Sequence, residues 1–502
     1  MSLESSTEES LSVREKLCYG LGDVANGLAL SSVTLWLLIY LTDIVGLGAF
    51  LAGVAVAIGR LWDAVTDPIM GWITDHTKSR WGKRRPYLLF GAIPYAIAYL
   101  ALWMVPEFET ERAIFLYVTI ALILFNTCLT VVFVPYTSLT AAITTDYNER
   151  TSLTGYRMVS TQTAFLVGAA LPAIIVEWVV SDSGKAFLDT VNFHVFFGDW
   201  AGTPREGYVV MALLFTVFIV ASIWSPFLGT RERDLDEPIA TGVTPWGYAS
   251  KILNELVGNR PYLMAVLILL FSNCAATLAA VNLPYFIQYA VDLKEYQTQI
   301  ISTLFITAIL CVPMWVAVAK RKGKAETYRM AMFLYMVVLC SVPFIGKGDL
   351  WACYAIALFG GICHSAALTL PWAIIPDVVE YDELKSGKRR EGLFYGGTTF
   401  SYKMATGLAF LISAAALELI NYVPNEPQTD SVILGIKMIM GPAPAVFLLL
   451  GALLAFKYPL TQERHKEILK ELADKKAKAP KKNGASSNEP SKLKLQPDVP
   501  AD

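Results

Sequence analysis

The sequence predicts an all-α integral membrane protein of about twelve transmembrane helices, and three observations carry that expectation. The chain of 502 residues is 55% hydrophobic and only 17% charged, too little charge to cover the surface of a water-soluble protein of this length. Its apolar residues gather into runs of roughly 20 or more, the length a helix needs to cross a bilayer. Its Lys and Arg residues fall mainly in alternate connections between those runs, as the positive-inside rule requires.

Taken in order, the spans are expected near residues 18–46, 50–74, 87–105, 113–143, 157–180, 208–229, 262–290, 299–319, 329–346, 350–376, 393–421 and 432–457. The polar stretch 1–16 has no basic segment and cleavage site ahead of the first run, so that run reads as a retained helix. The connections 75–86, 144–156, 230–261, 320–329 and 377–392 hold nineteen Lys and Arg residues, among them Arg84, Arg150 and Arg390. The opposite connections hold Arg112, Lys185, Arg205, Lys294 and Lys347. Both termini are therefore expected on the cytoplasmic side. The net charge of -2 and the absence of one extended basic face argue against a nucleic-acid partner. All seven cysteines lie in or beside apolar runs without a metal-ligand or disulfide spacing, so they read as buried thiols.

Two halves are expected, 17–229 and 262–459, joined by a cytoplasmic linker 230–261. In the linker, Thr244-Pro245 reads as a helix start, and Trp246, Ala249, Ile252, Leu253 and Leu256 recur at helical spacing, which predicts a short helix on the membrane surface. The halves echo each other. Val134-Pro135-Tyr136 followed by Asp146, Glu149 and Arg150 parallels Leu370-Pro371-Trp372 followed by Asp377, Glu380 and Arg389. Six helices plus six in related halves is the plan of major-facilitator carriers. From 460 to 502 the composition turns charged and then Lys-, Pro- and Ser-rich, which predicts a disordered tail; only Ile468, Leu469 and Leu472 hint at a helix.

Ionisable residues inside apolar spans cost about 2.5–3.5 kcal/mol each on insertion scales, so they normally face the protein interior and serve function. The second span reads GRLWDAVTDPIMGWITD and places Arg60, Asp63 and Asp67 at offsets of three and four, on one helical face. Carboxylate oxygens suit Na⁺, and either carboxylate can instead carry a proton. A salt bridge from Arg60 that only fixes packing is the plainer alternative. Lys403 sits deep in the eleventh span and needs a neutralising partner, for which the two aspartates are the candidates; a lysine snorkelling to the interface is the alternative. Asp23 and Arg157 lie nearer the inner interface and fit gating, packing or substrate binding. Thr130, Thr398 and Thr399 offer uncharged hydrogen-bonding groups, though threonines in spans commonly bond their own helix. His364 reads as packing. Asp75, Arg84, Asp146, Arg150, Asp377 and Arg390, at the loop ends, are candidates for a cytoplasmic gate, with topology as the competing role for the basic members.

The run RLWDAVTDPIMGWITDHTKSRWGKRRPYLLFGAIP resembles the second and third spans of the glycoside-pentoside-hexuronide:cation symporter family. PWAIIPDVVEYDELKSGKRREGLFYGGTTFSYK resembles its tenth-to-eleventh span region, and YGLGDVANG its first helix. The resemblance reaches to about Pro459. It implies a cation site at Asp63 and Asp67 with Thr130 beside it, a coupling lysine at Lys403, and a substrate-binding role for Arg157. Two aspartates that read sugar in the family's galactoside carriers are absent: Gly27 and Phe133 stand there, and Thr137 replaces a tryptophan of the sugar pocket. VPYTSLTAAITTDYNERTSLTGYRM is similar to segments of the animal lysolipid symporters. The resemblance therefore implies cation-coupled symport of a sugar, glycoside or sugar acid, with a lysolipid or other amphipathic solute as the alternative.

No His-Glu-x-x-His, Gly-x-Ser-x-Gly or phosphate-loop pattern occurs, so no enzyme and no cofactor beyond the coupling Na⁺ or H⁺ is expected. A channel would repeat its charges along one axis, whereas these cluster at midplane. A non-transporting sensor on the same scaffold is the remaining class. The expected setting is a bacterial inner membrane, and the expected working unit a monomer.

Overall fold

The computed structural model describes residues 11–144, 146–190, 200–232, 258–387 and 390–478. The linker helix expected around Trp246 lies outside them. Among the described residues the fold is all helical, with twelve helices long and apolar enough to span a membrane. In the first half the spans are α1 (Val13–Leu21) with α2 (Val24–Ile39), α3 (Ala49–His76), α4 (Arg85–Trp103), α5 (Glu111–Ile143), α6 (Tyr147–Val180) and, after the short α7 (Asp182–Thr190), α8 (Pro204–Gly229). The second half has α9 (Arg260–Tyr285), α10 (Gln297–Lys322), α11 (Lys324–Ser341), α12 (Leu350–Ser386), α13 (Glu391–Leu419), and α14 (Asp430–Met440) continued by α15 (Pro442–Phe456). A last helix, α16 (Gln462–Lys478), follows.

Several helices outrun the apolar runs that announce them. α6 begins at Tyr147, where the Asp146 side chain caps it by accepting from the Glu149 N–H at 2.7 Å. α12 continues to Ser386 and stops at Gly387, which takes the left-handed conformation at φ 70°. The supposed loops around Arg150 and Asp377 are thus largely helix, because helices extend past the membrane wherever a neighbour accepts their sides. The connection 320–329 shrinks to Gly323 alone between α10 and α11.

The disorder expected from 460 onward is corrected for 462–478. α16 buries Ile468 and Leu472 and is held by Gln462 Nε2 to the Lys320 carbonyl at 3.1 Å and Lys475 Nζ to the Leu384 carbonyl at 2.9 Å. Composition weighs the tail as if alone, whereas two apolar contacts and these bonds come from the bundle it meets.

The halves are related in detail. The first span of each ends in a π-helical turn, Tyr40–Ile44 and Phe286–Ala290, with matching bonds from Val45 to Tyr40 and from Val291 to Phe286. Such turns are rare and concentrate at functional positions. Between the halves α3 packs closely on α13. A Cβ at Gly53 would stand 2.2 Å from the Ala414 Cβ, and one at Gly407 would stand 3.2 Å from the Arg60 Cβ. At Gly53 only glycine permits that approach, and it sets how far the side chains of the two helices must reach.

Candidate functional site

On α3, residues 63 and 67 are one helical turn apart, and Pro68, lacking an N–H, leaves the Ala64 carbonyl without its usual helical donor. Facing them across the half-to-half contact is Lys403 of α13. Its Nζ stands 2.8 Å from Asp63 Oδ2 and 2.5 Å from Asp67 Oδ2. Thr130 of α5 stands on the other side, with Oγ1 2.7 Å from Asp63 Oδ1 and 3.1 Å from Asp67 Oδ1. Its single hydroxyl hydrogen is shared between them. Thr66 adds a second hydroxyl 3.2 Å from Thr130 Oγ1.

Charge and burial are unequal here. Asp63 is fully buried, whereas the Asp67 side chain is 24% exposed. Asp67 is therefore the more accessible of the two carboxylates. One ammonium against two ionised carboxylates leaves one negative charge over. Asp63 Oδ2 has the charge of Lys403 nearby but receives no aligned hydrogen bond. Four carboxylate oxygens and two hydroxyl oxygens make a hard-donor set that fits Na⁺ or a proton, once the lysine withdraws. Arg60 is buried on the same helix but forms no ion pair with either aspartate, so the packing salt bridge weighed from sequence is not the arrangement found.

A second ion pair lies nearer the termini end. Arg157 Nε donates to Asp23 Oδ2 at 3.1 Å, and the guanidinium lies 5.2 Å from the Tyr136 ring centroid. Tyr136 stacks on Tyr19 and donates to the Tyr19 carbonyl at 2.6 Å. Asp23 Oδ1 is buried without a donor, an acceptor left over for a solute hydroxyl or ammonium. Thr398 and Thr399 do not join either group. Thr398 is fully buried and bonds back to the Phe394 carbonyl at 2.7 Å, and Thr399 makes no polar contact among the described residues.

Several of the six gate candidates meet partners in their own half or in the linker. Arg84 donates from Nε to Ser138 at 3.1 Å, and its N–H, with those of Lys83 and Arg85, goes to the Glu232 carboxylate. Arg150 Nε reaches the Thr144 carbonyl. Asp377 pairs with Lys324 at 2.5 Å and Arg390 with Asp382 at 2.8 Å. Asp75 is exposed, and Asp146 is the α6 cap. None of these bonds joins the halves at the termini end. His364, read as packing, is buried beside Tyr335.

The opposite end is closed by residues that sequence reasoning passed over. Asp43, in the π turn after α2, accepts from Tyr289 OH at 2.5 Å and from Tyr422 OH at 3.0 Å, both from the second half. Asn425 Nδ2 donates to the Asp43 carbonyl at 2.5 Å, and Thr42 Oγ1 lies 2.8 Å from Tyr285 OH. An acidic residue at the end of an apolar run looks interfacial in sequence; the hydroxyls that engage it lie over 240 residues away.

Comparison with known proteins agrees with this architecture. The chain is 30% identical to an uncharacterized symporter of Synechocystis, over 93% of this chain and 98% of that protein. It is 28% identical to the sodium-dependent lysophosphatidylcholine symporter 1-A of Danio rerio, over 93% of this chain and 89% of the relative. Its fold is shared with a bacterial homolog of the human lysosomal transporter Spinster, solved inward-facing and occupied, at a TM-score of 0.64, 11% identity, and coverage of 90% of this chain and 97% of that one. The pattern of the MFS/sugar transport protein family runs through residues 18–462, and the chain belongs to that family.

Proposed function

We propose that this protein is a secondary active symporter in which binding of Na⁺ or H⁺ at Asp63 and Asp67 drives movement of a small organic solute by alternating access. The observation that carries the reading is Lys403, which reaches across the halves to hold both aspartates. A cation taking those carboxylates must displace a contact that ties one half to the other, so binding and rearrangement are coupled by the same atoms. The state described is closed at the end opposite the termini, by Asp43 and its tyrosines, and among the described residues none of the hydrogen bonds and ion pairs named above spans the halves at the termini end. With both termini on the cytoplasmic side, the orientation that the basic connections support, closure at the far end by Asp43 and its tyrosines corresponds to an inward-facing state. The protein transports and catalyses no reaction, and it works as a monomer in a bacterial inner membrane.

For the solute, a sugar, glycoside or sugar acid held near Asp23 and Arg157 is the first reading, since charge-assisted bonds to a carboxylate or guanidinium suit hydroxyl-rich or acidic ligands. An amphipathic solute such as a lysolipid is the second, favoured by a specific observation. A Cβ at Gly27 would stand 2.5 Å from the Thr161 carbonyl oxygen, and Phe133 packs against Tyr95 and Tyr136. The two places that resemble sugar-reading positions are thus filled or apolar. The relative named as a lysophosphatidylcholine symporter supports the same class. Uptake into proteoliposomes, with and without a Na⁺ or proton gradient and across glycosides, uronates and lysolipids, tests both readings. Uptake unaffected by any gradient would overturn symport.

A further inference from the structure

At the termini end of the second half a cavity of about 550 Å³ opens between α10, α11, α12, the end of α15 and α16. Five basic side chains line it: Lys320, Lys322, Lys324, Arg329 and Lys466. Three acidic ones, Glu326, Asp377 and Glu463, leave a positive excess, and Lys324 already answers Asp377. Lys320, Lys322 and Lys466 are exposed and have no polar side-chain partner among the described residues. The remaining wall is apolar, with Val316, Leu370 and Ile374, and ends at Phe456. Phe456 is 64% exposed on a membrane-spanning helix, with the Arg329 guanidinium 4.6 Å from its ring centroid. A cationic floor beside an apolar wall that opens to the bilayer matches one molecule in two parts, an anionic head and an acyl chain.

The first half shows what the matching turn holds. Gly82-Lys83-Arg84-Arg85-Pro86-Tyr87 and Gly323-Lys324-Ala325-Glu326-Thr327-Tyr328 share Gly, Lys and Tyr at the same places, and both glycines turn at positive φ, 102° and 90°. In the first half the N–H groups of Lys83, Arg84 and Arg85 donate to the Glu232 carboxylate at 2.7, 2.7 and 2.8 Å. That turn is an occupied anion site. Glu232 stands in the run Thr230-Arg231-Glu232-Arg233, whose counterpart is Thr461-Gln462-Glu463-Arg464. Glu463, however, lies in the first turn of α16 and makes no hydrogen bond to Lys324, Ala325 or Glu326. The second half keeps the turn and surrounds it with cations, but its own carboxylate does not fill it.

We propose that this cavity binds the phosphate head group of an anionic glycerophospholipid from the leaflet at the termini end, with its acyl chain along Phe456. Basic pockets between spanning helices recognise such head groups by charge. The site is built by the second half and α16 alone, so it is separate from the Asp63 and Asp67 centre.

The test is native mass spectrometry of the full-length protein extracted from phosphatidylcholine nanodiscs containing a minority of phosphatidylglycerol. The wild type is expected to retain phosphatidylglycerol over phosphatidylcholine. The triple variant Lys320→Ala, Lys322→Ala, Lys466→Ala, which breaks no side-chain pair, is expected to lower that retention by about tenfold or more. A control triple in the first half, Lys78→Ala, Arg80→Ala, Lys83→Ala, is expected to retain the lipid as the wild type does. Equal retention in wild type and cavity variant overturns the proposal. So does an equal loss in the control, which would mean unspecific surface charge, and so does displacement by millimolar inorganic phosphate, which would mean a free-anion site.

Discussion

Lys403 and Asp67 belong to different halves and lie 336 residues apart in sequence, yet their charged atoms are 2.5 Å apart. Asp63 shares the same ammonium at 2.8 Å. In the proposed symport the lysine occupies the place that a coupling cation would take, so the two compete for the same carboxylates. Removing the competitor in Lys403→Ala is expected to tighten cation binding by roughly tenfold, the worth of about 1.4 kcal/mol, while solute accumulation falls because binding no longer releases the half-to-half contact. Calorimetric titration with Na⁺ at several pH values, beside gradient-driven uptake, checks both parts. A Na⁺ titration superimposable on wild type would remove Lys403 from the mechanism.

Neutralising either aspartate acts from the other side. Asp63→Asn and Asp67→Asn each remove a charge-assisted ligand worth about 1.5–3 kcal/mol, which corresponds to roughly 10–100-fold in cation affinity. Gradient-driven accumulation should be lost while the protein still reaches the membrane. Because Asp63 is fully buried and Asp67 is partly exposed, Asp63→Asn is expected to be the more severe. Two variants that both accumulate solute normally would show the cation site to be elsewhere.

The closure at the end opposite the termini depends on a carboxylate that accepts from both tyrosines. Asp43→Asn, or Tyr289→Phe with Tyr422→Phe, is expected to weaken that closure. Spin labels at Glu109 and Lys347, exposed positions on opposite halves, should move from one short distance toward a longer population in a cysteine-free background. An unchanged distance distribution in both variants would deny Asp43 a part in closure.

Close approach of α3 and α13 places the lysine within reach of the aspartates. Gly53→Leu would drive its side chain into Ala414, whose Cβ is 2.2 Å from the first added carbon. Overpacking of this kind costs about 1–3 kcal/mol, and here it also pushes Lys403 from its partners. Thermal unfolding in detergent should fall, and transport should fall further than stability alone explains. Gly155→Ala, inside α6 where an added Cβ meets nothing within 4 Å, is the control expected to lower neither.

The membrane class, the twelve spans and the carboxylate stripe on the second span are legible in the sequence, because each is a local property. Hydrocarbon demands long apolar runs, and a helical turn puts residues 63 and 67 on one face. The sequence also marked Lys403 as a charge in need of a partner, since an ammonium deep in an apolar span is costly unless it is paired or reaches the interface. Which partner answers is a matter of the folded chain: both aspartates, with Arg60 left aside. That choice rests on the glycine-permitted contact of α3 with α13, which no local pattern encodes. The same holds for Asp43 and its tyrosines, for Thr398 turned into its own helix, and for α16, whose two buried apolar residues are too few to announce a helix until the bundle supplies the surface they cover. Burial and pairing are properties of two surfaces brought together, and a sequence read one segment at a time shows only one of them.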